Sequence, residues 1–130
     1  MSWGAVSPLM VEPREVELPT YNFTGADVVA EIRRLAARFP EGVAQCTYVV
    51  NDRPHCIGGR ALANLGLPLG DLGQCEGTAL DTVMSRLRIE STYDERRWAR
   101  VVQGSQDGGR AWAKAVNYAD CVSPISEVTP

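Results

Sequence analysis

Apolar residues at Val28, Ile32, Leu35 and Phe39 recur at helical spacing, with Glu31, Arg33, Arg34 and Arg38 mainly off that stripe. This is the pattern of a helix that buries one face. Thr24 followed by Asp27 predicts its start as a capping-box variant, Phe23 is placed to staple against Val28, and Pro40 with Gly42 stops it. Residues 45–50 are β-branched and aromatic, Asn51-Asp52 is a turn signal, and residues 53–57 return as a second strand. Pro54 confines that strand to an edge, because it has no N–H for a ladder. Gly58-Gly59 breaks the strand; residues 60–65 then read as a short helix with Ala61, Leu62 and Leu65 apolar and Gly66 at its C-terminal cap. Residues 67–77, rich in Gly and Pro, read as loop.

The C-terminal half returns to helical spacing. Thr78 and Asp81 repeat the capping interval ahead of a stripe of Leu80, Val83, Met84 and Leu87, and Thr92 with Glu95 makes a stronger box ahead of Trp98, Val101 and Val102. A last helix over residues 110–121 carries Trp112, Ala115, Val116 and Ala119 on one face, and Pro124 ends it. One unbroken helix would keep Trp98 and Trp112, two heptads apart, on one side. The adjacent Gly108 and Gly109 would cost such a helix about 2 kcal/mol relative to alanines, which favours a break into two.

Residues 1–22 carry Pro8, Pro13, Pro19 and the acidic Glu12, Glu15 and Glu17, and read as an extended arm with a short edge strand at 15–18. The expected architecture is therefore α+β. Residues 23–122 form a single globular domain, an N-terminal helix and short β-hairpin followed by a helical half, and residues 123–130 are a loose tail. A length of 130 residues, 45% hydrophobic and 22% charged, suits one core. No apolar run approaches the roughly 18 residues of a membrane span, and the N-terminus lacks the basic and apolar regions of a secretory signal, so a cytoplasmic location is expected.

A formal charge of -3 provides no global positive field to draw in a nucleic-acid backbone. Every basic residue except Lys114 is arginine, a usage that points to a GC-rich genome. Cys46, Cys56, Cys75 and Cys121 have no CxxC spacing, and the single histidine, His55, is directly beside Cys56. Neighbours on a strand point to opposite faces, so no metal site is expected and the thiols should be free.

Three stretches carry candidate chemistry. In the segment 55–60, a strand running through Gly58 and Gly59 into a helix beginning near Arg60 would aim backbone N–H groups at a phosphate or carboxylate; the alternative is a tight strand-to-helix turn. Cys56 lies near that helix start, and Cys46 with His55 is a conceivable cross-strand pair, so these three are the nucleophile and base candidates. Arg86, Arg88, Arg96, Arg97 and Arg100 concentrate around two helices, but Asp81, Glu90, Asp94 and Glu95 are interspersed, the mark of a solvated mixed face. Gln106, Asp107 and Trp112 stand in a polar and aromatic stretch where an exposed tryptophan would anchor a partner and a buried one would be core.

Residues 48–120, with PHCIGGRAL at 54–62 and QDGGRAWAKAV at 106–116, resemble small proteins encoded by actinobacteria and their phages. The resemblance implies an origin and carries no activity or catalytic residue with it. With one histidine, no paired-carboxylate motif and no cofactor fingerprint, the leading expectation is a nonenzymatic accessory protein that binds a host or phage macromolecule, with a protein as partner and no cofactor. An anion- or nucleotide-handling enzyme centred on His55, Cys56, Gly58, Gly59 and Arg60 is the alternative, and DNA binding through the arginine-bearing helices the third. The start of the first helix is directly testable. Phe23→Ala and Thr24→Ala should each lower stability by about 1 kcal/mol or more in denaturant melts, and wild-type midpoints in both would place the helix start elsewhere.

Overall fold

The computed structural model describes residues 21–44 and 47–126. The expected strand at 15–18, the first 20 residues of the expected arm and Cys46 lie outside them. Helix α1 (Gly25–Arg38) starts as its sequence spacing predicts: Thr24 Oγ1 accepts from the Asp27 N–H at 3.3 Å, and the Thr24 N–H donates to the Asp27 carboxylate at 2.9 Å. Val28, Val29, Ile32, Leu35 and Ala36 are buried on its inner face. Phe39, expected to extend that stripe, lies beyond the last helical turn as the C-cap and stays 40% exposed.

Strands β1 (Val49–Val50) and β2 (Arg53–Pro54) pair antiparallel, Val49 opposite Pro54 and Val50 opposite Arg53. Asn51 (φ 52°) and Asp52 (φ 62°) both take the left-handed conformation of a type I′ turn, whose twist matches that of the strands. The hairpin is shorter than its apolar run implied, because helix α2 (Ile57–Asn64) begins three residues earlier than expected, with Cys56 as its N-cap. Gly58 and Gly59 thus occupy its first turn. A Cβ there would lie 2.6 Å from Gln103 Oε1 and 2.7 Å from the Tyr48 carbonyl oxygen, respectively, so both positions are glycine because the core closes directly on the backbone.

The segment expected to be loop contains a short helix, α3 (Leu69–Gly73), held because Leu67 and Leu72 are core residues. Helix α4 (Leu80–Arg86) starts after Ala79 with no side-chain cap, not at Thr78. Thr78 belongs to the preceding turn, where its N–H donates to the Cys75 carbonyl and its own carbonyl accepts from the Tyr48 hydroxyl at 2.6 Å. Helix α5 (Tyr93–Asp107) has the expected capping box between Thr92 and Glu95. The chain breaks at Gly108-Gly109, with Gly109 at φ 100°, and resumes as α6 (Trp112–Val122), two residues later than expected because the Trp112 N–H is taken by the Gly42 carbonyl at 2.8 Å.

The fold is α+β, with α5 packed against α6, α4 and α1, and α2 against α1, around one cluster of buried side chains that includes Ile32, Ile57, Leu62, Leu80 and Trp98. Among the described residues no helix is long and apolar enough to cross a membrane. Cys56, Cys75 and Cys121 are free, and no three His, Cys, Asp or Glu side chains gather as a metal-holding group among the described residues.

Asp120 on α6 ties three helices together. It accepts both guanidinium N–H groups of Arg33 on α1, at 3.0 and 2.8 Å, and the indole N–H of Trp98 on α5 at 2.8 Å, while the Arg33 guanidinium lies 4.7 Å from the centre of the Trp98 ring. The Arg33 hydrogen bond, aided by that from Trp98, holds the Asp120 carboxyl below its usual pKa. A depressed pKa in the folded state contributes stability above the ordinary carboxylate range, and that contribution is lost as pH falls through the folded value. Asp120→Asn is therefore expected to lower stability at neutral pH and to flatten the acid limb of the stability profile below about pH 4, as read from denaturant midpoints against pH. A limb as steep as that of the wild type would assign the acid sensitivity to other carboxylates.

Candidate functional site

The start of α2 is filled by the protein itself. Gln106 Oε1 accepts from the Ile57 N–H at 2.9 Å, Gln103 Oε1 from the Gly58 N–H at 3.0 Å, and the Cys56 sulfur from the Gly59 N–H at 3.3 Å. These are orphan donors of a helix N-terminus, and in the core they must find partners. The two glutamine amides in turn donate to Asp107 Oδ1 at 2.9 and 2.7 Å, and the Trp112 indole N–H reaches Gln106 Oε1 at 3.3 Å. Where the sequence pointed to an anion cradle at Gly58 and Gly59, the N–H groups an anion would use are already bonded to glutamine oxygens and a thiol.

The other candidates are placed as follows. Trp112, nominated as an exposed anchor, is only 3% exposed, and Gln106 is fully buried: both belong to the core network because the α2 N–H groups require a polar partner there. Asp107 is half-buried at the end of α5, beside His55 in a cleft of about 710 Å³. The His55 N–H donates to the Tyr48 carbonyl at 2.8 Å. Burial pushes the Cys56 thiol up to about 11, so at neutral pH it is the unreactive thiol form. The conceivable Cys46–His55 pair falls partly outside the described residues.

Two of the arginines near α4 and α5 are engaged by neighbouring groups. Arg96 donates to the Ser91 carbonyl at 2.7 Å and to its hydroxyl at 3.1 Å, Arg100 approaches Asp81 at 3.9 Å, and the hollow between them and Tyr93 measures about 140 Å³. A second gathering of arginines lies elsewhere. A cleft of about 470 Å³ opens between the end of α1, strand β2 and α2, lined by Arg34, Leu35, Arg38, Phe39, Arg53, Pro54, Arg60 and Asn64.

Arg34 forks onto Glu31 at 2.9 and 2.6 Å, holding that carboxyl below the usual range, and Asn64 donates to the same carboxylate at 2.8 Å. Arg38, Arg53 and Arg60 form no ion pair among the described residues. Two of these three are stacked on rings: the Arg38 guanidinium carbon lies 5.4 Å from the Phe39 ring centre, and that of Arg60 lies 5.9 Å from Phe39 and 5.4 Å from Trp112. Phe39 meets Trp112 edge to face, with ring centres 6.4 Å apart. The cleft thus presents pre-positioned forked donors beside an apolar floor, which is chemistry for holding an oxyanion. Of its arginines, sequence reasoning singled out only Arg60, and for a different site. Arg34 and Arg38 read as the polar side of a helix, and nothing local joins them to Arg53.

The α2 junction is testable without knowing any ligand. Gln106→Leu leaves the buried Ile57 N–H without its partner and should cost about 1–3 kcal/mol in denaturant melts. Gln74→Leu on the exposed surface should stay within about 0.5 kcal/mol of wild type. Equal effects at both positions would mean that the glutamine does not hold α2.

No family model matches the chain, and neither a curated protein nor a solved structure matches it.

Proposed function

We propose that this is a nonenzymatic accessory protein of the cytoplasm, of actinobacterial or phage origin, that acts by binding a partner protein through the arginine cleft. The observation that carries the reading is the set of three guanidiniums, Arg38, Arg53 and Arg60, that line one concavity without an ion pair to any described residue, on a chain whose formal charge is -3. A basic island on an acidic protein is a feature with a binding consequence, since unmatched charge held in a concavity attracts the opposite sign at short range. The leading nucleophile candidate favours this reading over an enzymatic one: Cys56 is buried and its thiol is shifted away from the reactive form. The arginine-for-lysine usage and the free Cys56, Cys75 and Cys121 support the proposed origin and compartment.

The test compares two baits, wild type and the double variant Arg38→Gln, Arg60→Gln, in a lysate of the organism that encodes the protein. A component recovered stoichiometrically by the wild type should be lost from the variant while the two baits melt as folded proteins. Equal recovery of every component by both would remove the cleft as the contact.

A further inference from the structure

The occupant of the cleft has a chemistry of its own. Resting on the binding reading above, we infer that it takes a short acidic peptide segment of the partner, with carboxylates on the guanidiniums and a neighbouring apolar side chain on the floor. Three features of the site lead there.

The first is the form in which the charge is offered. The Arg38 and Arg60 guanidiniums lie over the rings of Phe39 and Trp112, and a guanidinium offers its N–H groups as a planar fork matched to carboxylates. Arg53 comes from β2, whereas Arg38 ends α1 and Arg60 lies on α2, so the donors that line the cleft come from three elements.

The second is that the positive region is bounded. Glu31 occupies Arg34 on α1, Asp52 directly precedes Arg53 in the hairpin turn, and Glu41 follows Phe39 by two residues. A nucleic-acid strand carries a charge on every nucleotide and would have to continue past these carboxylates. It would also approach a molecule whose overall charge repels it. A peptide concentrates its charge on two or three side chains and then ends or turns neutral.

The third is the floor. Pro54 and the 40% exposed ring of Phe39 lie among the arginines, with Leu35 beneath. A small inorganic anion would leave this apolar surface unused, whereas an aliphatic or aromatic side chain next to an acidic one covers it.

The experiment uses the full chain and three fluorescein-labelled probes of equal length: a peptide in which glutamates alternate with leucine and phenylalanine, the same peptide with glutamine for glutamate, and single-stranded oligothymidylate. Fluorescence anisotropy should show saturable binding of the glutamate peptide, weakening with salt, and little of the other two. The Arg53 side chain makes no hydrogen bond or ring contact among the described residues, so Arg53→Gln should spare the fold and weaken binding at least about tenfold, the loss of one charge-assisted bond. Arg60→Lys keeps the charge but removes the fork, and should weaken it as well; Arg97→Gln on the outer side of α5 should leave it unchanged. Tighter binding of oligothymidylate that is lost in the same variants would make the cleft a nucleic-acid site and overturn the inference. Equal binding of the two peptides, or indifference to Arg53 and Arg60, would overturn it too. If no probe binds while recovery of the cellular partner still depends on Arg38 and Arg60, the peptide inference fails and the binding reading stands.

Discussion

A helix that begins inside a core has to dispose of N–H groups that no carbonyl of its own can reach, and α2 begins there. Leaving each buried donor unpaired would cost about 1–3 kcal/mol, a large share of the stability of a domain this size. Cys56 meets one of these groups from the N-cap, and Gln103 and Gln106 meet two more from α5. Much else follows from that arrangement. Side chains at positions 58 and 59 would collide with Gln103 and Tyr48, so both are glycine. The end of α5 must lie across the start of α2, Asp107 must receive the spare glutamine N–H groups, and Trp112 is drawn in to share the Gln106 oxygen. Polar side chains are thereby committed to structure.

The same junction positions the surface feature that remains available. Arg60, one residue beyond the paired N–H groups, emerges beside Trp112, whose ring also meets Phe39 at the end of α1. The break at Gly108-Gly109 turns α6 back so that its first N–H groups reach the Gly42 and Pro40 carbonyls just after α1. At the opposite end of α6, Asp120 joins α1 and α5 through Arg33 and Trp98. Arginine stacked on an aromatic ring therefore occurs twice with different outcomes. Arg33 over Trp98 is also satisfied by a carboxylate and serves the fold, while Arg60 over Phe39 and Trp112 pairs with none among the described residues.

Overall charge is a poor guide to where such a protein binds. Of the arginines around α5, Arg96 contacts a backbone carbonyl and a hydroxyl, and Arg100 approaches Asp81. The cleft arginines come from three separate elements and are diluted in sequence among acidic neighbours, yet fold into one concavity where, among the described residues, only Arg34 is matched. What distinguishes the cleft is that arginines from three elements gather beside the rings of Phe39 and Trp112, a property of the folded chain.

The amino-acid sequence by itself determined the features that depend on neighbours along the chain. The Thr24–Asp27 and Thr92–Glu95 capping boxes, the left-handed Asn51-Asp52 turn, the stripes of α1 and α5 and the glycine break before α6 all involve groups a few residues apart, whose geometry a local spacing dictates. The same reasoning misplaced Thr78 and delayed α2 to residue 60, because a side chain with capping chemistry is used only where tertiary contacts start the helix. Only the tertiary structure decided that Gln103 and Gln106 would cap a helix some 45 residues away in sequence, that Trp112 would be core, and that Arg38, Arg53 and Arg60 would share a cleft around Phe39. Hydrogen bonds and charge act through space over a few ångströms, and which distant residues come within that range is set by packing, which no local spacing encodes.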